Sequence, residues 1–251
     1  MYDIQMVISN LVDERKSQST IKGFRSILHK FFEWITDSGI VDMTNPVSKK
    51  AVIPKFGSLF RDRLPTDEEI QLLISDVCGI QRLIRFLVWT GCRLGEALHL
   101  EWGDIDQGTW VIKEKPNCPT RFGMGWSPKW GKPRKIFLFP EAQAVLEETP
   151  QNSRWVFPKR DGTRQDFISK SWGTLKKRNG ISDLQVKDLR NWFNHKLKSH
   201  YGFTTKEASA YLGHSPEVNE YHYDPISEDV IQEKLNALTV TQLLPRESVK
   251  A

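Results

Sequence analysis

The stretch between residues 53 and 63 constrains the fold of this chain more than any other. It contains Pro54 and Gly57, ends in the charged run RDR and has no apolar periodicity, which is typical of a linker. Directly after it, Thr66 and Glu69 have the spacing of a capping box, which marks the start of a helix. We therefore predict a small helical domain over residues 1–52, a linker over 53–63 and a second domain over 64–251.

Apolar residues recur at helical spacing through most of both predicted domains. In the first domain, a helix that starts after Ser17 carries a broad apolar face. In the second domain, only Thr109–Lys113 and Arg134–Phe139 have the composition of strands, and the residues between them predict a loop. A last amphipathic segment covers residues 226–244. The chain is thus predicted to be mainly α, with a small antiparallel β-hairpin.

The charge balance favours a polyanionic partner. Lysine and arginine total 36 against 31 acidic residues, which gives a net charge of +5 and a pI near 9.0. The three cysteines, Cys78, Cys92 and Cys118, form no C-x-x-C pair, so neither a disulfide framework nor a zinc site is indicated. We also find no signal peptide and no membrane span. These observations predict a cytoplasmic protein without a metal or another cofactor.

Several basic residues are candidates for contact with a nucleic-acid backbone. Three lie on the polar face of the second helix and two lie in a basic turn before the second strand. A solvated surface is the alternative interpretation for each group. The candidates are Lys22, Arg25, Lys30, Lys132 and Arg134.

Separated polar residues also indicate an anion site. Arg93 follows a glycine at the start of a helix, and Glu96, three residues on, is close enough to hold its guanidinium. Lys187 and Arg190 share one side of another helix, and His214 follows Gly213 at a helix end. Each feature alone fits an ordinary surface pair or cap.

Taken together and in this order, the motifs resemble the tyrosine recombinase (phage integrase) family. The resemblance covers essentially the whole chain. It rests on TGCRLGEAL (90–98), KWGKPRKIFL (129–138), DLR (188–190) and LGHS (212–215), followed by a tyrosine. It implies a two-domain clamp around double-stranded DNA with paired core sites, a helical core-site-binding domain and a catalytic domain. It also implies a homotetramer at synapsis, with the helix of residues 226–244 docking on a neighbouring protomer. We expect no further N-terminal arm-binding domain in this chain.

The resemblance assigns a role to each motif residue. Arg93 and Arg190 bind the oxygens of the scissile phosphate, and Glu96 supports them without contacting the phosphate itself. Lys129 is the general acid for the departing 5′ hydroxyl. His214 donates a hydrogen bond to the phosphate. A tyrosine attacks phosphorus, and the resulting 3′-phosphotyrosyl link makes ATP and metal unnecessary for rejoining.

The chain departs from the family pattern at two places. The family commonly has a histidine where this chain has Lys187, and a lysine keeps a positive donor but is a weaker base near neutral pH. Residues 116–127 are inserted between the two predicted strands, so Lys113 and Lys115 are alternatives to Lys129 as the general acid.

The resemblance leaves the biological task open between related activities. We expect integration or excision of a mobile element, in a bacterial, archaeal or phage-encoded protein that works at the nucleoid. The alternatives are a catalytically inactive DNA-binding regulator of the same fold and a type IB topoisomerase-like enzyme that relaxes DNA. Retention of the whole motif set argues against the inactive regulator.

Two tyrosines compete for the role of nucleophile. Tyr223 follows His222 and lies nine residues after His214, which fits the family spacing better than Tyr221 does. We therefore predict that a suicide DNA substrate traps a covalent adduct through Tyr223, as read by peptide mapping of the adduct. Adduct formation by Tyr223→Phe but not by Tyr221→Phe would show that the assignment is wrong.

Overall fold

The computed structural model describes residues 2–47, 63–120 and 123–217. Its contacts divide the chain into two units, residues 1–62 and 63–251. Of the predicted linker, only Arg63 is among the described residues. The α-helices are α1 (Tyr2–Asp13), α2 (Gln18–Asp37), α3 (Asp67–Ser75), α4 (Gln81–Thr90), α5 (Leu94–Leu98), α6 (Pro140–Glu147), α7 (Ser169–Arg178), α8 (Val186–Ser199) and α9 (Thr205–Leu212). The strands are β1 (Ile105–Asp106), β2 (Thr109–Ile112), β3 (Lys115–Thr120), β4 (Gly123–Trp126) and β5 (Arg134–Phe137).

The described part of the first unit contains the two helices α1 and α2. Ser17 caps α2, because its side chain accepts a hydrogen bond from the Thr20 N–H at 3.2 Å. Ile21 is fully buried, but Ile27 and Trp34 are 68% and 59% exposed. The helix predicted after Ser17 is therefore confirmed, and much of its apolar surface is exposed. Periodicity identified the helix, but burial also requires enough neighbouring surface to cover such a broad face.

Helix α4 is the centre of the second unit and contacts α3, α6 and α8. Five of its residues are apolar and almost fully buried: Leu83, Ile84, Phe86, Leu87 and Val88. Helix α3 begins with the predicted capping box, in which Thr66 and Glu69 exchange side-chain to backbone hydrogen bonds. These contacts give the unit one continuous apolar core.

An antiparallel sheet with the order β1–β2–β5 packs on this core. Trp110 on β2 is paired in register with Ile136 on β5, and both side chains are buried. The Phe86 ring lies 5.6 Å from the Trp110 ring and 5.2 Å from the Phe157 ring, so an aromatic cluster joins the sheet to α4. The sheet thereby fixes where β5 begins, at Arg134.

The predicted loop between the two main strands is wrong in part, because β3 and β4 form a second antiparallel pair. Two prolines in β3 and two glycines in β4 weaken the strand pattern in the sequence. Side chains anchor the hairpin instead. The Trp126 ring stacks on His99 at 4.5 Å, and Cys118 is buried.

Within the three described ranges, no helix has both the length and the apolar character that are needed to cross a lipid bilayer.

The central position of α4 generates a test of the core. Ile84→Ala should lower the free energy of unfolding by about 2–5 kcal/mol, because the fully buried side chain leaves a cavity. Leu72→Ala on α3, where the side chain is 47% exposed, is the control and should cost less than about 1 kcal/mol. Urea unfolding monitored by tryptophan fluorescence measures both, and equal losses would contradict the assignment of α4 to the core.

Candidate active site

Two glycine turns bring the predicted site residues together. Gly91 ends α4 and Gly213 ends α9, both with left-handed backbones at φ 57° and 75°. A Cβ atom on Gly91 would lie 2.6 Å from the Phe193 ring, and one on Gly213 would lie 2.7 Å from Cδ of Arg134. Both turns therefore need glycine for the backbone angle and for the close approach of a neighbour.

Arg190 joins the two turns from α8. Its side chain is buried and donates from Nη1 to the Gly91 carbonyl and from Nη2 to the Leu212 carbonyl, each at 2.8 Å. Carbonyls at the ends of helices lack partners within the helix, so they are suitable acceptors for a buried guanidinium. Arg190 thereby fixes the end of α4 against the end of α9.

Arg93 lies at the start of α5, directly after the first glycine turn. Its Nη1 donates to Oε1 of Glu96 at 3.0 Å, and its Nη2 donates to the Gly213 carbonyl at 3.0 Å. The Arg93 backbone N–H also donates to Oε2 of Glu96 at 2.9 Å. About a quarter of the Arg93 side chain is exposed. Arg93 and Arg190 thus contact adjacent carbonyls, of Gly213 and Leu212.

Glu96 is a buried carboxylate that serves two arginines. Besides Arg93, it accepts two hydrogen bonds from Arg134 on β5, at 2.9 and 2.7 Å. Burial disfavours the charged form, but these donors and the positive charge of Arg134 outweigh it and lower the pKa of Glu96. The sequence contains no local sign of the Arg134 contact, because the two residues are 38 positions apart.

His214 follows the second glycine turn and is half-buried. Burial and the positive charges of Arg190 and Arg93 lower the pKa of its imidazole to about 4. The ring is therefore neutral near pH 7, so one of its two nitrogens carries a proton to donate.

The three candidate lysines differ in their surroundings. Lys129 is exposed on a short 3-10 turn between β4 and β5, and Lys113 is exposed just after β2. Lys115 has only 9% of its side chain exposed and forms ion pairs with Glu101 and Asp104. Both carboxylates and the low exposure keep the Lys115 ammonium away from a substrate oxygen, so this geometry argues against Lys115 as the general acid. Lys187 is exposed in the first turn of α8.

The remaining predicted residues fall into two groups. Tyr221, Tyr223 and the helix predicted over 226–244 lie outside the described residues. Of the predicted DNA contacts, Lys22, Lys30 and Lys132 are exposed and Arg25 is partly exposed. Arg134 differs from these, because only 13% of its side chain is exposed and its guanidinium faces Glu96.

Among residues 2–47, 63–120 and 123–217, no group of three or more histidine, cysteine, aspartate or glutamate side chains is arranged to hold a metal ion. The chemistry of the described site is that of an anion receptor. Two guanidinium groups and a neutral imidazole surround one turn, a set of donors that suits a phosphate.

Comparison with protein families gives one match over most of the second unit. The model of the phage integrase family matches residues 66–223. A curated relative, the tyrosine recombinase XerC-like protein of Caldanaerobacter subterraneus subsp. tengcongensis, is 33% identical over 111 residues, which are 41% of this chain and 28% of the relative. The matched region therefore spans little more than a quarter of the length of that relative.

Solved structures with a similar fold are integrases. The Tn1549 transposon integrase in complex with a circular intermediate DNA has a TM-score of 0.71 at 17% identity, over 94% of this chain and 85% of that one. A lambda integrase tetramer bound to a Holliday junction has a TM-score of 0.66 at 19% identity, over 90% of this chain and 65% of that one. At these identities the likeness concerns the fold alone.

The depressed pKa of His214 predicts a pH dependence of stability. In the unfolded chain a histidine titrates near pH 6.5, whereas the folded-state pKa of His214 is about 4. Between these values the unfolded state binds more protons, so the free energy of unfolding should fall as the pH falls from about 6.5 to 4.

His214→Asn should make that dependence shallower, as measured by urea midpoints across this pH range. Some slope should remain, because burial also lowers the pKa of His99 to about 4. Parallel curves for the variant and the unmodified protein would contradict the burial of a neutral His214.

Proposed function

Because the chain belongs to the phage integrase family, we propose that it is a site-specific DNA recombinase of the tyrosine recombinase type. It cleaves and rejoins DNA through a 3′-phosphotyrosyl intermediate, and its task is the integration or excision of a mobile element. The observation that carries the proposal is the convergence of Arg93 and Arg190 on neighbouring carbonyls beside His214.

The scissile phosphate occupies the outer side of this cluster. Arg93 and Arg190 donate to its non-bridging oxygens, and their fixed positive charge stabilises the extra negative charge of the pentacoordinate transition state. Carbonyl partners hold both side chains before DNA arrives, so little reorganisation accompanies the reaction. His214, neutral at pH 7, adds a hydrogen-bond donor without adding charge.

Proton transfer and nucleophilic attack complete the reaction. The Tyr223 hydroxyl releases its proton to water and attacks phosphorus, while the bond from phosphorus to the 5′ oxygen breaks. Lys129 gives that oxygen its proton, which suits an exposed lysine that can be reprotonated from water. Lys187 is a further donor to the phosphate in the place of the usual histidine. Rejoining reverses these steps, since a 5′ hydroxyl attacks the phosphotyrosyl phosphorus while the bond from phosphorus to the Tyr223 oxygen breaks and that oxygen regains a proton. The phosphotyrosyl link keeps the energy of the broken bond, so no ATP is needed.

The partners follow from the same proposal. The proposed partner of domains 1–52 and 64–251 is double-stranded DNA with paired core sites. Lys22, Arg25, Lys30 and Lys132 contact the DNA backbone, which accounts for the basic balance of the chain. Four protomers assemble at synapsis, and the segment 226–244, which the sequence predicts to be helical, docks on a neighbouring protomer.

A strand-transfer assay tests the proposal. The substrate is duplex DNA from the genomic region that flanks the gene, with two candidate sites and a nick next to the scissile phosphate. We expect a covalent protein–DNA adduct and recombinant junctions. Relaxed supercoils without junctions would indicate the topoisomerase-like alternative. DNA binding with no adduct on any substrate would indicate the inactive regulator, and both outcomes would refute recombination.

Arg93→Gln should lower the rate of adduct formation about 100- to 1,000-fold, by analogy with the loss of one oxyanion donor. Arg85→Gln is the matched control, because Arg85 is also about one-quarter exposed and pairs with a glutamate, Glu148, away from the site. Equal rates for the two variants would refute the role of Arg93.

A further inference from the structure

The position of Glu96 raises an electrostatic problem for the proposed site. A buried carboxylate next to Arg93 orients the guanidinium, but it also cancels the positive charge that a phosphate needs. An arginine paired one to one with a buried carboxylate is electrically close to neutral when seen from a distance. A third charged group, a cation, is therefore needed if Glu96 is to hold Arg93 in place while the cluster keeps a net positive charge.

Arg134 supplies that charge. Its two terminal nitrogens donate to the two oxygens of Glu96, at 2.9 and 2.7 Å, in the planar fork geometry that arginine forms with a carboxylate. Arg93 makes only one side-chain contact with the same carboxylate, and its other terminal nitrogen donates to the Gly213 carbonyl. Of the two arginines, Arg134 is thus the more completely paired with Glu96, and the three side chains together keep a charge of +1.

Arg134 also packs against Gly213, in the turn that precedes His214. A Cβ atom on Gly213 would lie 2.7 to 2.9 Å from Cδ, Nε and Cζ of Arg134, which only a glycine permits. The backbone N–H of Gly213 donates to the Ser209 carbonyl within α9, and the Gly213 carbonyl accepts from Arg93. Arg134 therefore contacts both groups that hold Arg93, which are the Glu96 carboxylate and the Gly213 turn.

These contacts favour a supporting role for Arg134 over the direct DNA contact that the sequence suggests. Only 13% of its side chain is exposed, and both terminal nitrogens are used on Glu96. The third nitrogen of Arg134, Nε, is buried against Gly213, so two hydrogen bonds to a phosphate would require Arg134 to release the buried carboxylate, which is costly. Arg190 differs, because its partners are uncharged carbonyls.

We infer that Arg134 is a positioning residue for DNA cleavage, which balances the charge of Glu96 so that Arg93 presents a net positive charge to the phosphate. This inference rests on the proposed recombinase function and deepens it. Arg134 does not touch the DNA, and it acts through Glu96 and the Gly213 turn.

The test separates cleavage from binding. Arg134→Gln should lower the single-turnover rate of adduct formation on a nicked DNA substrate about 10- to 100-fold at saturating protein, a loss typical of a hydrogen bond to a charged group. Its dissociation constant for the same DNA should stay within about twofold, because no DNA contact is removed. Lys135→Gln, one residue further along β5 and exposed, is the matched control and should leave the cleavage rate unchanged.

Conservative and double variants decide whether charge balance is the cause. Arg134→Lys keeps the charge and should retain more cleavage than Arg134→Gln. In a Glu96→Gln background, adding Arg134→Gln should cause little further loss, because no buried carboxylate then needs balancing. The double variant also serves as the test if Arg134→Gln alone fails to fold.

Two results would overturn the inference. One is a weaker dissociation constant and a smaller salt dependence for Arg134→Gln, with an unchanged rate at saturation, which marks a direct phosphate contact. The other is an equal loss of cleavage rate when Arg134→Gln is introduced into the unmodified protein and into the Glu96→Gln variant. If the unmodified protein forms no adduct on any DNA, the proposed function itself fails, which is a distinguishable outcome.

Discussion

The carboxylate of Glu96 is the point at which separate segments of the second unit meet. It accepts from Arg93 at the start of α5 and from Arg134 at the start of β5, while Arg93 continues the connection to the turn after α9. Because the carboxylate is 2% exposed, its charge is compensated almost entirely by protein groups. One buried anion therefore sets the positions of two cations, and removing any member would leave a buried charge with too few partners.

Helix ends supply the rest of the site. The carbonyls of Gly91 and Leu212, at the ends of α4 and α9, accept from Arg190. Such carbonyls carry the negative end of the helix dipole, so they attract cations. Arg190 is thereby held by backbone groups, whose positions depend on helix packing and not on side-chain rotamers. This arrangement explains why the core around α4 and α8 and the candidate site form one structural unit.

Features fixed by a few neighbouring residues could be predicted from the sequence. The capping box of Thr66 and Glu69, the helix ends at Gly91 and Gly213, and the contact of Glu96 with Arg93 all depend on spacings of four residues or fewer. The pairing of Arg134 with Glu96 could not be predicted, because it joins elements that are distant in the chain.

The same limit applies to α2, whose apolar period is evident while its burial depends on neighbours. The β3–β4 pair was hidden because prolines and glycines obscure strand periodicity, and its anchors are long-range contacts. The roles of Lys129, Lys187 and Tyr223 stay predictions from family resemblance.

The inserted hairpin restricts how far the loop that carries Lys129 can travel. Trp126, at one end of this loop, is stacked on His99, and Arg134, at the other end, is bonded to Glu96. Lys129 is three residues from the first anchor, and three extended residues span at most about 10 Å. The two anchors therefore keep Lys129 within about 10 Å of the end of β4. The inserted β3–β4 pair thus limits the range of positions that Lys129, the proposed proton donor, can take.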